Sequence, residues 1–158
     1  MRSWFVIATG ISLFMAAPVP AWAQAQSQTC PEQGNLVKAG TWKAKGTTVG
    51  FLIGIRWGSG TVTFNNGVTR KFEFKGGKVI ETGAATVEYA GTVYNLKKIE
   101  DFEGFYTGLG TGITIVKGLG GISLTNLNCV IVNGKVTKSR GLRLSGPAPV
   151  GVTVRFVR

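Results

Sequence analysis

The sequence predicts an all-β protein, a small antiparallel β-barrel or closed sandwich rich in glycine, and three observations carry that expectation. Short runs of β-branched and aromatic residues recur along the chain, punctuated by glycine and Asn-Gly turn signals. No stretch as long as three helical turns carries an apolar stripe at helical spacing. Glycine supplies 24 of the 158 residues, a share that weakens helices and suits tight sheets. Closure into a barrel removes exposed strand edges. A barrel of about eight strands encloses either a small apolar cavity or a core of its own side chains, and alternation alone does not separate the two.

Taken in order, Arg2 gives a basic start, Phe5 to Ala17 an apolar run, and Pro18 and Pro20 precede Ala21-Trp22-Ala23. This pattern reads as a secretory signal peptide over residues 1–23, with export from the cytoplasm. The apolar run is shorter than the roughly 20 residues of a membrane span. A mature chain starting at Gln24 would hold 135 residues, enough for one compact domain. Residues 24–46 are polar and read as an irregular lead-in containing Pro31 and Gly34, which places the barrel-like domain at 47–158. Within the lead-in, Thr41-Trp42-Lys43 suggests an aromatic contact near lipid headgroups or a lid over one barrel end.

In the domain, Val49, Phe51 and Ile53 share one strand face, and Ile55 and Trp57 continue the parity. Val62 and Phe64 alternate with Thr61 and Thr63, Asn65-Asn66-Gly67 is a strong turn, and Val68 to Phe74 supplies the return strand. Gly76-Gly77 marks the next turn. Ala85 to Ala90, Thr92 to Leu96, Phe105-Tyr106 and Ile113 to Val116 follow between further glycines. Asn95 to Phe102 is the best helical candidate, two turns at most. Ile122, Leu124 and Leu127 lead into Val130 to Val132, with Asn133-Gly134 as another hairpin turn. Leu142 and Leu144, then Val150, Val152, Val154 and Phe156, read as closing strands bent at Pro147 and Pro149. Gly108, Gly110, Gly112, Gly118, Gly120 and Gly121 cluster tightly, which suits either close β packing or approach of backbone to a ligand.

The formal net charge is +11, and +10 once Arg2 leaves with the leader, so polyanions and anionic membrane surfaces are attracted. The basic residues come singly or in pairs (Arg70-Lys71, Lys97-Lys98, Lys135, Lys138, Arg140) and form no nucleic-acid module. The absence of histidine excludes Ser-His-Asp and Cys-His catalysis and histidine-ligated metals. Glu100, Asp101 and Glu103 form the only dense acidic group. They lack calcium-loop spacing and read as a charged turn rather than a metal site. A carboxylate enzyme would need a cleft that brings Glu73 or Glu88 opposite Glu103. Cys30 and Cys129 are either one disulfide or two separate thiols.

The segments TVGFLIGIRWGSGTVTF at 48–64, VYNLKKIEDFEGFYTGLGTGITIVKGLGGISLTNLNCVIV at 93–132 and RGLRLS at 140–145 together resemble the alphaproteobacterial DUF1134 family. That family is in turn similar in its glycine-rich half to YSC84-like, or SYLF, lipid-binding domains. Trp57-Gly58 with Gly60 resembles the family's Trp-Gly-x-Gly element, and Glu103-Gly104-Phe105-Tyr106 resembles the start of its glycine-rich section. Gly120-Gly121 followed by Leu124, Asn126 and Asn128 is similar to the signature before its central strand. Where the family has glycine after the second asparagine, this chain has Cys129, which leaves room for a pairing with Cys30. The resemblance implies a non-enzymatic periplasmic protein that supports envelope integrity through a small barrel with a hydrophobic pocket.

Read together, these features make Trp57, Phe105 and Tyr106 the candidate ligand-binding aromatics, because each lies beside or near a glycine that lets backbone come close. Arg56, Lys117 and Arg143 are the candidate cations for an anionic headgroup. The expected partner is an envelope lipid or other amphiphile, an anionic membrane surface or an envelope protein. No cofactor and no nucleic acid are implied, and a monomer is expected. The alternative is a structural or protein-interaction module whose core is filled and takes no small ligand.

Overall fold

In KAGTWKAKGTTVGF, Trp42, Ala44 and Thr48 are buried while Lys43, Lys45 and Val49 are exposed, the period-2 pattern of a strand with one face inward. This is β1 (Lys38–Phe51), and it begins inside the segment read from sequence as an irregular lead-in. Trp42 is therefore a core residue, neither a lid nor a surface contact. The computed structural model describes residues 30, 35–79, 81–111, 120–145 and 148–158. The leader with its cleavage site, Pro31, Gly34, Gly112, Ile113 to Val116, Lys117, Gly118 and Pro147 lie outside the described residues.

After β1 come β2 (Ile53–Phe64), β3 (Thr69–Val79), β4 (Glu81–Tyr94), a 3-10 turn (Ile99–Phe102), β5 (Gly104–Thr111), β6 (Gly121–Asn126), β7 (Ile131–Ser145) and β8 (Ala148–Phe156). Strands β1 to β3 form one meander and β5 to β7 another. β4 joins β1 to β7, β8 joins β3 to β5, and every pairing is antiparallel. The order β1-β2-β3-β8-β5-β6-β7-β4 closes on itself as an eight-stranded barrel. The fold class is the one the sequence predicts.

The β2–β3 hairpin turns at Asn65-Asn66-Gly67 as expected. Gly67 sits at φ 82, where glycine is favoured, and its amide donates to the Phe64 carbonyl at 2.9 Å. Other glycines expected as turns lie inside strands instead: Gly76-Gly77 in β3, Gly91 in β4 and Asn133-Gly134 in β7. Gly76 lies tight against the Gly151 and Val152 backbone of β8, whereas Gly91 and Gly134 face a ring. A Cβ on Gly91 would stand 2.7 Å from Trp42 Nε1, and one on Gly134 would overlap the same indole. The two glycines make the space that Trp42 fills, a small-against-large arrangement suited to a narrow barrel. The expected two-turn helix is only the 3-10 turn over Ile99–Phe102.

That short turn supplies the centre of the core. Phe102 reaches into the barrel and meets the rings of Phe64, Phe72, Tyr106 and Phe156 at centroid distances of 5.3–6.3 Å. Such spacings add aromatic attraction to the burial itself. Asp101 fixes the turn from below, with the Lys98 amide donating to its Oδ2 at 3.1 Å. The buried Asn126 ties the turn to the β6–β7 connection. Its Nδ2 donates to the Asp101 carbonyl at 2.7 Å, and its Oδ1 accepts from the Asn128 and Val130 amides, each at 3.0 Å. Cys129 lies in that same connection and forms a disulfide with Cys30, with a Cα–Cα distance of 5.2 Å. The open question between disulfide and separate thiols is thus settled as a disulfide.

Candidate functional site

Two places compete for the functional site, the barrel interior and the outer face of the β1–β2 hairpin. The interior holds a cavity of about 60 Å³ bordered by Trp42, Arg56, Phe72, Phe74, Phe102 and Tyr106, with valines of β8 behind them. A cavity that admits one benzene is roughly 150 Å³, so this space falls short of even a short acyl chain. It is small because aromatic rings fill the room that glycines leave. A Cβ on Gly58 would come within 2.6 Å of the Phe74 ring, and one on Gly60 within 2.6 Å of the Phe72 ring.

Of the sequence-predicted ligand residues, Arg56 and Tyr106 do face this interior. Tyr106 is wholly buried, and its hydroxyl donates to the Phe102 carbonyl at 2.8 Å. Burial, followed by the negative charge of Asp101, pushes its phenol far above the ordinary range, so it remains a neutral donor. Its role is to hold the Phe102 plug. Arg56 is 7% exposed and borders the cavity on the strand positions paired with Thr48 and Gly76.

Trp57 and Phe105, expected beside Tyr106 in a pocket, stand on the outside of the barrel. They are 47% and 53% exposed. Parity explains this: along β2 the inward residues are Arg56, Gly58 and Gly60, so Trp57 must point out. Phe105 precedes the inward Tyr106 on β5 and lies over Gly151, where a Cβ would approach its ring to 3.0 Å. The four located candidates therefore divide two inside and two outside. Lys117 lies outside the described residues, as does the side chain of Arg143.

Two of the acidic residues serve backbone amides. Asp101 caps the 3-10 turn, and Glu103 Oε1 accepts from the Phe156 amide at 2.6 Å. Glu73 and Glu103 do border one outer groove, on either side of β8, with Arg155 paired to Glu73 across β3 and β8. Glu73 is exposed and one oxygen of Glu103 is already engaged, which is the arrangement of a cross-strand charge set more than of an acid–base pair. Among the described residues, no group of three or more cysteine or acidic side chains could hold a metal ion.

The feature that sequence reasoning missed is at the β1–β2 hairpin. Val49, Phe51, Leu52, Ile53, Ile55 and Trp57 are all exposed, six of the eleven large apolar side chains exposed among the described residues. Val49 pairs with Ile55 and Phe51 with Ile53, so they form adjacent rows on one outer face, joined through Leu52 at φ 66. Phe51 is 79% exposed. Leu109 on β5 adds a further exposed side chain. The shared parity from Val49 to Trp57 was visible in the sequence, but nothing in it told inside from outside. No family model matches this chain, nor does any curated protein or solved structure.

Proposed function

We propose that this chain is a non-enzymatic interaction module of the bacterial cell envelope, a barrel with a filled interior that works through its outer face. The observation that carries the reading is the contrast between a cavity of about 60 Å³ and the exposed apolar rows on β1 and β2. Contiguous apolar surface of this kind is costly to leave in water and marks interaction sites. The envelope setting comes from the leader-like N-terminus and from the motif resemblance at 48–64 and 93–132. This reading takes the filled-core alternative over an acyl ligand held inside the barrel.

The test is native mass spectrometry of the protein recovered from a periplasm, followed by organic extraction, together with fractionation of cells that express Phe51→Ser/Ile53→Ser. The expected result is protein without an extractable adduct, whose association with envelope fractions falls in the double variant. A stoichiometric acyl ligand that Ala44→Phe displaces from the interior would overturn the reading, because Ala44 borders the cavity.

A further inference from the structure

Resting on that outer-face reading, we propose that the β1–β2 end of the barrel docks on an anionic phospholipid surface by shallow insertion. Side chains on the outer face change character in rows that follow the strand register. The outermost row is Phe51 and Ile53 with Leu52 at the turn, and the next is Val49 and Ile55. The third row runs Thr47, Trp57, Lys75 and Thr153 across β1, β2, β3 and β8. The fourth is Lys45, Ser59, Glu73 and Arg155, and beyond it lie Lys43, Thr61 and Lys71. The sequence along the strands is apolar, then tryptophan with lysine, then charged.

This order matches a bilayer interface in depth and in chemistry. From Phe51 to Thr47 the strand rises about 13 Å, and a barrel tilt of roughly 40° reduces that to about 10 Å along the axis. Interfacial segments bury their apolar faces about 5–10 Å into the headgroup and acyl boundary. Insertion of Phe51, Leu52 and Ile53 therefore brings Trp57 to headgroup level, where its amphipathic ring is favoured. Lys75 in the same row and Lys45 in the next then meet phosphates, their stems lying along apolar surface.

Charge selects the occupant. Lys43, Lys45, Lys71, Lys75 and Arg155 outnumber Glu73 and Glu88 on the strands behind the apolar rows, within a chain of net charge +11. A second copy would bring the same cations against themselves, whereas an anionic leaflet complements them. The barrel does not itself cross the bilayer on this arrangement. Its longer strands exceed the roughly 9–11 residues a span requires, but a spanning barrel presents an apolar outer band about 25 Å tall. Here Lys45, Glu73 and Arg155 interrupt it two rows behind Ile55. Among the described residues, no helix is long and apolar enough to cross a membrane.

The experiment is flotation of the purified protein with phosphatidylcholine vesicles, with and without phosphatidylglycerol, alongside Trp57 quenching by lipids brominated at stepped acyl depths. The expected result is binding to the phosphatidylglycerol vesicles, with Trp57 quenched most by the shallowest bromines and the signal lost in Trp57→Phe. Phe51→Ser/Ile53→Ser lowers the affinity more than tenfold, and Lys45→Gln and Lys75→Gln each lower it about fivefold. Far-UV circular dichroism checks that each variant keeps its fold. Failure to bind either vesicle, or binding unchanged in the double variant, overturns the membrane assignment. Self-association through the hairpin without vesicles, read by sedimentation, overturns it too but leaves the outer-face module standing. An acyl ligand extracted from the interior overturns both.

Discussion

At one end of the barrel Phe102 is 2% exposed among four aromatic rings, whereas on the hairpin joining β1 to β2 Phe51 is 79% exposed. Both are phenylalanines next to a chain reversal. What separates them is the framework around them. The Phe102 turn is held by Asp101, Asn126, Tyr106 and the Cys30–Cys129 link, each making a specific bond. The β1–β2 hairpin is held by its strand ladder and turns at Leu52, while its large side chains point outward. One end buries its apolar residues in the core, and the other leaves them exposed. The comparison gives the phenylalanine at each end a different expected response to substitution.

The largest effect is expected at the covalent link. Cys30 and Cys129 are separated by 99 residues, and a loop of that size restricts the unfolded chain by about 4–5 kcal/mol in the chain-entropy model. Cys30→Ser/Cys129→Ser should lower the urea midpoint correspondingly, and dithiothreitol should produce the same midpoint in the wild type. A midpoint unchanged by either treatment would mean that the Phe102 end is secured without the link. Next comes the plug. Phe102→Ala empties the centre of the aromatic cluster and should cost about 3–5 kcal/mol, with loss of the near-ultraviolet dichroism of the rings around it.

How much of this was legible beforehand depended on the kind of information required. The β class and the hairpin at Asn65-Asn66-Gly67 follow from local chemistry, and both are found. The parity of Val49, Phe51, Ile53, Ile55 and Trp57 was legible as well. Its direction was not, because hydrophobic alternation normally points the apolar set inward. In this barrel the inward positions of β2 include Gly54, Arg56, Gly58 and Gly60, and the last two make room for the Phe74 and Phe72 rings of β3. Only closure of the sheet reveals that economy of space. The same cause hid Trp42, since Gly91 and Gly134 read as turns until the indole is seen against them. A local clue did exist: Thr41, Lys43 and Lys45 alternate with Trp42, Ala44 and Gly46, which is a strand signature.

A smaller effect sharpens the description of the plugged end. Tyr106→Phe removes the hydroxyl that the Phe102 carbonyl accepts and should cost about 1 kcal/mol near neutral pH. Its pH dependence is more diagnostic. Burial and then Asp101 raise the folded-state phenol well above its unfolded value, so the folded chain holds the proton when the unfolded chain begins to lose it. The stability tied to Tyr106 is thus fully present below about pH 10 and falls as pH rises beyond it. Urea midpoints followed from neutral to strongly alkaline pH should decline less steeply in Tyr106→Phe than in the wild type. Parallel profiles would mean that the phenol titrates alike in both states and is not sealed in.

The smallest effect on stability is expected at the other phenylalanine. Phe51 loses little exposure on folding, and its pairing with Ile53 is made by the backbone ladder, so Phe51→Ser leaves the core and the register intact. Its effect on stability should stay within about 0.5 kcal/mol, roughly a tenth of the Phe102→Ala cost. Solubility should rise in the same variant, because a polar side chain replaces an apolar one that water already reaches. Urea unfolding and a precipitation curve in ammonium sulfate measure the two effects on one preparation. A loss of stability comparable to Phe102→Ala would mean that the hairpin belongs to the core and that its apolar residues serve the fold. Unchanged stability with raised solubility separates the ends: a large apolar residue retained where the fold does not need it is kept for what it touches.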